Sequence, residues 1–273
     1  MRAGLVQLNS GDDPQANLAE SRARVREAAG AGADFVLTPE VTNFVSMDRA
    51  LGQKVLHREA DDPTLAALRD EARALGVWLL IGSLALKTGD ADGRLANRSF
   101  LIDPKGGIVA RYDKIHMFDV EIDATESYRE SAGYRPGNRA VLAATPFGGV
   151  GMSVCYDVRF PHLFRRLAQA GADILTVPAA FSPVTGRAHW HALLRARAIE
   201  NGAFVLAPAQ CGHHGGKRHT YGHSLAVAPW GEVLADGGEA PGVTLVDLDM
   251  DEVEKARARV PSLYHDRGFT GPA

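Results

Sequence analysis

The stretch GVGMSVCYDVRFP, residues 149–161, decides how the chain is read. An apolar run from Val150 to Val154 ends on Cys155, and a tyrosine, an aspartate and an arginine follow before Phe160 and Pro161. Proline is favoured at the first position of a helix. The pattern therefore predicts a strand that turns at once into a helix, with the cysteine at the junction. Such junctions present side chains at the carboxyl edge of an α/β sheet, where sites gather, and backbone N–H groups there can meet a developing oxyanion. A lone cysteine after an apolar strand is more often a small buried hydrophobe. It is the flanking residues that make Cys155 a candidate nucleophile.

Outward from this junction, short β-rich runs alternate with helical stretches. AGLVQL (3–8) reads as a buried strand, residues 14–29 as a helix, and DFVLTPE (34–40) as a strand ending in a glutamate. Residues 63–75 read as a helix, VWLLIGSLAL (77–86) as a long buried strand, GDADG (89–93) as a turn, and 99–113 as a hairpin. VGMSVC is a strand, PHLFRRLAQAG (161–171) a helix, DILTVPAAF (173–181) a strand and 188–201 a helix. FVLAPAQ, SLAVAP, GEVLAD and VTLVDLD follow as strands, with a charged helix at 251–259. The alternation argues for α/β layering. The hairpin-like pairs at 99–113 and 224–236 argue for mixed rather than purely parallel sheets. With no repeat and no Pro/Ser-rich linker, one domain over residues 1–273 is the simplest organisation.

The totals exclude several classes. A chain of 273 residues, 45% hydrophobic and 23% charged, has an ordinary globular composition. A net charge of -3 gives no reason to expect nucleic acid or an anionic membrane as partner. The start, MRAGLVQLNS, runs directly into a strand-like segment without the pattern of a signal peptide, and no apolar run is long enough to span a bilayer. The two cysteines, Cys155 and Cys211, form no CxxC pair and cannot make a disulfide framework, so a cytoplasmic location is expected.

Other candidates stand beside Cys155. Glu40 follows Pro39 at the end of a strand. It is either a solvated loop acid or a partly desolvated carboxylate whose pKa is raised enough to act as a base. Lys114, in RYDKIHMFDVE, is either a surface lysine or, among Tyr112, Ile115, Met117 and Phe118, a donor to an oxyanion. Glu130, in SYRESAGYRPG, is by itself a solvated loop acid, but it sits in a long loop of the kind that is often functional. His189 and His191 are spaced i, i+2 and would not face one ligand from a helix. HHGGKRHTYGHS (213–224) could suggest a metal but lacks a zinc-binding spacing and a recognisable carboxylate partner, so no metal is expected. GGVG (148–151) precedes its strand and is no dinucleotide fingerprint.

Taken in order, TPE, DKIH, RES and CYDVRFP resemble the nitrilase superfamily of carbon–nitrogen hydrolases. The resemblance runs from GLVQLNS to YGHSLAVAPWGEVLAD, essentially the whole chain. It is nearest to the Nit-type amidases of ω-amides of α-keto acids, with GRAHWHALLRARAIE and AQCGHHGGKRHTYGHS more like the deaminated glutathione amidases than the ω-amidases. It implies a four-layer α-β-β-α sandwich, commonly paired into a homodimer. By matching positions it implies Glu40 as base, Lys114 as the catalytic lysine, Glu130 as the second glutamate and Cys155 as nucleophile. The backbone N–H of Tyr156 would join Lys114 at the oxyanion, and Arg159, Phe181 and Thr185 would hold a keto-acid substrate, Arg159 in bidentate fashion. His191 stands where relatives often carry Glu, a departure that bears on the pocket wall.

The implied reaction is a cysteine-dependent hydrolysis of an amide through a thioester, with no cofactor. The partner is then a small-molecule amide, foremost deaminated glutathione. An ω-amidase acting on 2-oxoglutaramate or 2-oxosuccinamate, an N-carbamoyl-amide hydrolase or nitrilase, and a catalytically idle scaffold are the alternatives.

Overall fold

In the computed structural model residues 1–122, 126–216 and 218–272 are described. Lys217 of the histidine-rich run and Ala273 lie outside the described residues. The first half of the chain contains β1 (Arg2–Gln7), α1 (Pro14–Gly30), β2 (Phe35–Leu37), α2 (Arg49–Val55), α3 (Pro63–Leu75), β3 (Trp78–Lys87), β4 (Leu95–Ile102) and β5 (Ile108–Asp113). Next come β6 (Asp119–Glu121), β7 (Ser127–Arg129), β8 (Val141–Thr145), β9 (Gly148–Met152), α4 (Pro161–Gln169), β10 (Ala172–Thr176) and α5 (Pro183–Asn201). The remainder is β11 (Phe204–Ala207), β12 (Cys211–His213), β13 (His219–Tyr221), β14 (Leu225–Val227), β15 (Val233–Asp236), β16 (Gly242–Asp247) and α6 (Asp251–Arg259).

Two six-stranded sheets result, in the orders β16-β1-β2-β3-β4-β5 and β15-β14-β11-β10-β9-β8. Each has a parallel centre flanked by antiparallel strands, as the hairpin signals predicted. The apolar runs of the first sheet are buried on both faces, and their two-residue period sorts the side chains. Leu5, Phe35, Leu37 and Leu80 meet Val150, Met152 and Ile174 of the second sheet. Their neighbours Val6, Val36, Leu79 and Ile81 pack instead under Val25 and Ala28 of α1 and Leu65, Leu68 and Ala72 of α3. Phe164 and Leu167 of α4 and Trp190 and Leu194 of α5 cover the outer side of the second sheet. The layers are therefore helix, sheet, sheet, helix. Local signals agree: Asp13 and Asp62 accept backbone N–H groups at the starts of α1 and α3, each ahead of a proline at the first helical position.

Several boundaries differ from the sequence expectation. Of DFVLTPE only Phe35–Leu37 pairs on both sides, because the Thr38 hydroxyl accepts the Gly82 N–H at 3.1 Å and draws the chain out of register. The strand expected at 173–181 ends at Thr176, ahead of Pro178. The helix expected at 188–201 begins earlier, at Pro183, so Thr185 lies in its first turn. VTLVDLD joins the first sheet, since β16 pairs antiparallel with β1. Helix α2 was not anticipated; Gly52 interrupts its sequence and is its one buried residue.

The approach of Gly82 sets the height of the Glu40 segment. A Cβ at Gly82 would lie 2.0 Å from the Thr38 carbonyl oxygen and 2.5 Å from both the Pro39 carbonyl oxygen and the Pro178 Cβ. Those atoms are backbone or ring and cannot swing aside. Overpacking of this kind costs about 1–3 kcal/mol or more, which corresponds to a melting temperature lower by roughly 3–10 °C in a chain of this size. Gly82→Ala is expected to show that loss in thermal denaturation, together with loss of turnover; wild-type melting would mean the segment is free to shift.

Candidate active site

Glu40, Lys114, Glu130 and Cys155 lie far apart in sequence and meet at one end of the sandwich. Glu40 follows β2, Lys114 follows β5, Glu130 follows the β6–β7 ribbon and Cys155 follows β9. The Lys114 Nζ donates to Glu40 Oε1 at 2.9 Å and to Glu130 Oε1 and Oε2 at 3.0 and 2.8 Å. Glu40 Oε2 accepts the Ala180 backbone N–H at 2.9 Å, and Glu130 Oε2 accepts that of Phe118 at 2.7 Å. Cys155 and Glu40 lie close enough for each to shift the ionisation of the other. Cys155 opens a short 3₁₀ turn, Cys155–Arg159, with its own φ at +50°, a region non-glycine residues rarely occupy. Val41, directly after Glu40, sits at φ +47°. Two of the three non-glycine residues at positive φ among the described residues are thus Cys155 itself and the neighbour of Glu40, as strain tends to collect at functional sites.

The electrostatics correct one expectation. Burial alone would raise the Glu40 pKa, but the Lys114 charge and hydrogen bonds from Lys114, Cys155 and Asn97 outweigh it, so the carboxyl is held below its ordinary value rather than above it. The Cys155 thiol moves the other way. Burial and the Glu40 charge push it well up, against the opposing pull of Lys114. Lys114 is itself buried, yet its two carboxylates overcome desolvation and hold its pKa well above the usual lysine value. At neutral pH the resting cluster is a carboxylate, an ammonium and an un-ionised thiol. A small proton movement from sulfur to Glu40 changes the reactivity of the sulfur without changing the charge of the cluster.

Three groups were missed by sequence reasoning. Asn97 Nδ2 donates to Glu40 Oε1 at 2.9 Å and to Glu130 Oε1 at 3.3 Å, bridging the two acids from β4. Asp157, fully buried, accepts the Val154 N–H at 2.9 Å, the Tyr112 hydroxyl at 2.6 Å and the His116 N–H at 3.0 Å. It thereby ties the Cys155 turn to the segment carrying Lys114. The third is Arg218. Its Nη2 donates to the Ala180 carbonyl at 2.6 Å, its guanidinium lies 4.8 Å from the centre of the Tyr128 ring, and its Nη1 is buried without a hydrogen-bond partner. Asp157 was legible as part of CYD; Asn97 and Arg218 carry no local pattern.

The four groups open into a cavity of about 450 Å³. Tyr156, Phe181, Thr185 and Arg218 line it, together with Phe44, Arg49 and Tyr134. Arg159, expected at the substrate, does not line this cavity. The 3₁₀ turn sets it against Tyr156 and Phe181, 5.8 and 5.4 Å from their ring centres, where its Nη2 lies 3.3 Å from His189 Nδ1. His191 is also away from the cavity, its Nε2 2.9 Å from Asp236. Cys211 is buried, which pushes its thiol up to about 11.

Residues 2–258 match the sequence pattern of the carbon-nitrogen hydrolase family. The chain belongs to that family. It is 41% identical over 264 residues to a deaminated glutathione amidase from Yersinia enterocolitica, covering 96% of this chain and 92% of that one. The NitFhit protein of C. elegans superposes with a TM-score of 0.91 at 34% identity, covering 97% of this chain and 65% of that one. A variant of the amidase from Nesterenkonia sp. AN1, with acrylamide added at its active-site cysteine, superposes with a TM-score of 0.79 at 29% identity over 97% of this chain and 99% of that one. Among the described residues, no helix is long and apolar enough to cross a membrane.

The bridge from Asn97 has a measurable consequence. Removing a donor to an ionised carboxyl raises its pKa. The rate of Cys155 alkylation by iodoacetamide, followed against pH, is expected to fall off in acid only below the ordinary carboxyl value of 4.5 in the wild type. In Asn97→Leu that limb should move upward. A limb that stays in place would show that Asn97 does not hold Glu40.

Proposed function

We propose that the chain is a cysteine-dependent amidase that hydrolyses a carboxylate-bearing amide of an α-keto acid, with deaminated glutathione as its substrate. The observation that carries this reading is the convergence of Glu40, Lys114, Glu130 and Cys155 on one cavity that also holds the unpartnered Arg218 Nη1. A cavity of about 450 Å³ has room for a tripeptide-sized substrate and exceeds what a small ω-amide needs, which favours deaminated glutathione over 2-oxoglutaramate.

In the reaction, the Cys155 sulfur attacks the amide carbon as Glu40 takes the thiol proton. The carbonyl electron pair moves to oxygen, where Lys114 Nζ and the backbone N–H of Tyr156 meet the charge. The intermediate collapses, the C–N bond breaks, and Glu40 returns its proton to the departing amine. A thioester remains on Cys155. Glu40 then takes a proton from water as that water attacks the thioester, and the acid leaves as the thiol is restored. Glu130 keeps Lys114 aimed, through the two bonds that hold its ammonium.

Carboxylate docking falls to Arg218 in this reading. Its side chain lines the cavity and its Nη1 is buried without a hydrogen-bond partner, whereas Arg159 packs against the Tyr156 and Phe181 rings, with Phe181 and Thr185 forming the wall against the substrate chain. The whole chain acts as one hydrolase domain, as a homodimer in the cytoplasm. The family resemblance and the two unpaired cysteines support those parts.

Two experiments test this reading. Amine release from deaminated glutathione, 2-oxoglutaramate, an N-carbamoyl amino acid and a simple nitrile is expected to be fastest for the first and abolished in Cys155→Ala with the fold intact. Turnover surviving in that variant would end the proposal, and preference for 2-oxoglutaramate would overturn the substrate while leaving the mechanism. Separately, Arg218→Gln should raise KM for the carboxylate-bearing amide at least ~10-fold with kcat changed far less, and Arg159→Lys should leave KM within about twofold. The reverse pattern would return docking to Arg159.

A further inference from the structure

The histidine-rich run 213–224 has no zinc-binding spacing, and its missing carboxylate lies elsewhere in the chain. The structure brings His223 beside His191 of α5 and Asp236 at the end of β15. His191 Nε2 is 2.9 Å from Asp236 Oδ2, and His223 Nδ1 is 2.9 Å from Asp236 Oδ1. One ligand atom from each of the three residues falls within 4.8 Å of the others. Three separate elements thus converge on one point, well outside the cavity that holds Cys155.

The convergence is built into the backbone. His223 is held at φ +56°, a conformation that non-glycine residues rarely adopt. Its N–H donates to the Gly238 carbonyl at 2.6 Å, and its carbonyl accepts the Trp190 indole N–H at 2.9 Å. Those two bonds fix the turn and aim the imidazole at Asp236. The Tyr221 ring stacks on His223 with centres 4.4 Å apart, and the Gly238 N–H holds Asp236 Oδ1 at 2.9 Å. His191, His223 and Asp236 nevertheless keep 36, 19 and 33% of their side chains exposed, so an ion can reach them from solvent.

We propose that His191 Nε2, His223 Nδ1 and Asp236 form a binding site for a divalent transition-metal ion of the zinc class, with solvent completing the coordination. Two imidazoles and one carboxylate suit such an ion and not magnesium or calcium, which take oxygen ligands. Metal–ligand bonds of about 2.0–2.2 Å require the close pairs to open slightly and the widest to close, all by side-chain rotation. Each neutral ring moves its proton to its other nitrogen on binding. For His223 that nitrogen, Nε2, lies 4.0 Å from Glu239 Oε1, beyond hydrogen-bond distance but within reach of a rotation of that exposed side chain. An ion here would tie α5 to the β14–β15 hairpin. Because Thr185 in the first turn of α5 lines the cavity, and Gly186 lies against the Tyr221 ring, the site would stiffen the cavity wall without entering the hydrolysis.

The test uses the full chain, freed of metal with a chelator and titrated with Co²⁺ followed by absorbance, then with Zn²⁺ and Mg²⁺ by calorimetry. The expected result is one Co²⁺ or Zn²⁺ per chain, visible-region bands without the charge-transfer absorption of a thiolate, and no response to Mg²⁺. His191→Gln and Asp236→Asn should each weaken binding at least ~10-fold, while both variants keep the wild-type circular dichroism. Absence of binding, affinity unchanged in both variants, or a thiolate absorption lost in Cys155→Ala would each overturn the proposal. None of these readouts depends on amide turnover, so they stand whether or not the amidase reading does.

Discussion

An ammonium group with almost no access to water is the constraint on which the arrangement depends. Lys114 is 2% exposed, and its charge is tolerable only because Glu40 and Glu130 both reach it. Removing one partner of such a buried set typically costs about 3–5 kcal/mol, so each of the three holds the others in place. Two carboxylates against one ammonium leave one net negative charge, and neutral donors spread it: the Asn97 amide and the backbone N–H groups of Ala180 and Phe118. Each of those donors comes from a different part of the fold. The first sheet, the second sheet and the β6–β7 ribbon must all be in place before the lysine is satisfied.

The same field divides labour between sulfur and oxygen. Glu40 is kept ionised by its neighbours, and Cys155 is kept protonated by burial and by that ionised oxygen. A thiol in this state resists oxidation and stray alkylation, which follow thiolate character and exposure. In the proposed reaction it becomes nucleophilic only as its proton passes to Glu40. Proton transfer then frees part of the Lys114 hydrogen bonding for the substrate oxygen at the moment charge builds there.

The layered α/β architecture and its mixed sheets were legible in sequence because strand burial and helix capping are local. The alternation of Leu5 with Val6, or Leu79 with Leu80, is written into consecutive residues. The positions of Glu40, Lys114, Glu130 and Cys155 were legible through ordered motifs, but the Glu40 pKa was not. Its direction depends on Lys114, 74 residues away, which no local reading weighs. The packing of Arg159 against the Tyr156 and Phe181 rings follows from the 3₁₀ turn, which no local pattern announced. Asn97 and Arg218 act through single side-chain atoms placed by tertiary structure and leave no pattern in their neighbours.

The pairing of β1 with β16 joins the first residues of the chain to nearly the last. During synthesis β1 emerges apolar and with one hydrogen-bonding edge bare, long before its partner Gly242–Asp247. Bare, flat, apolar edges invite pairing with other chains. Until Gly242–Asp247 has been made, that edge of β1 has no partner in its own sheet. The interval between the making of the two strands is when the growing chain is most open to pairing with other chains.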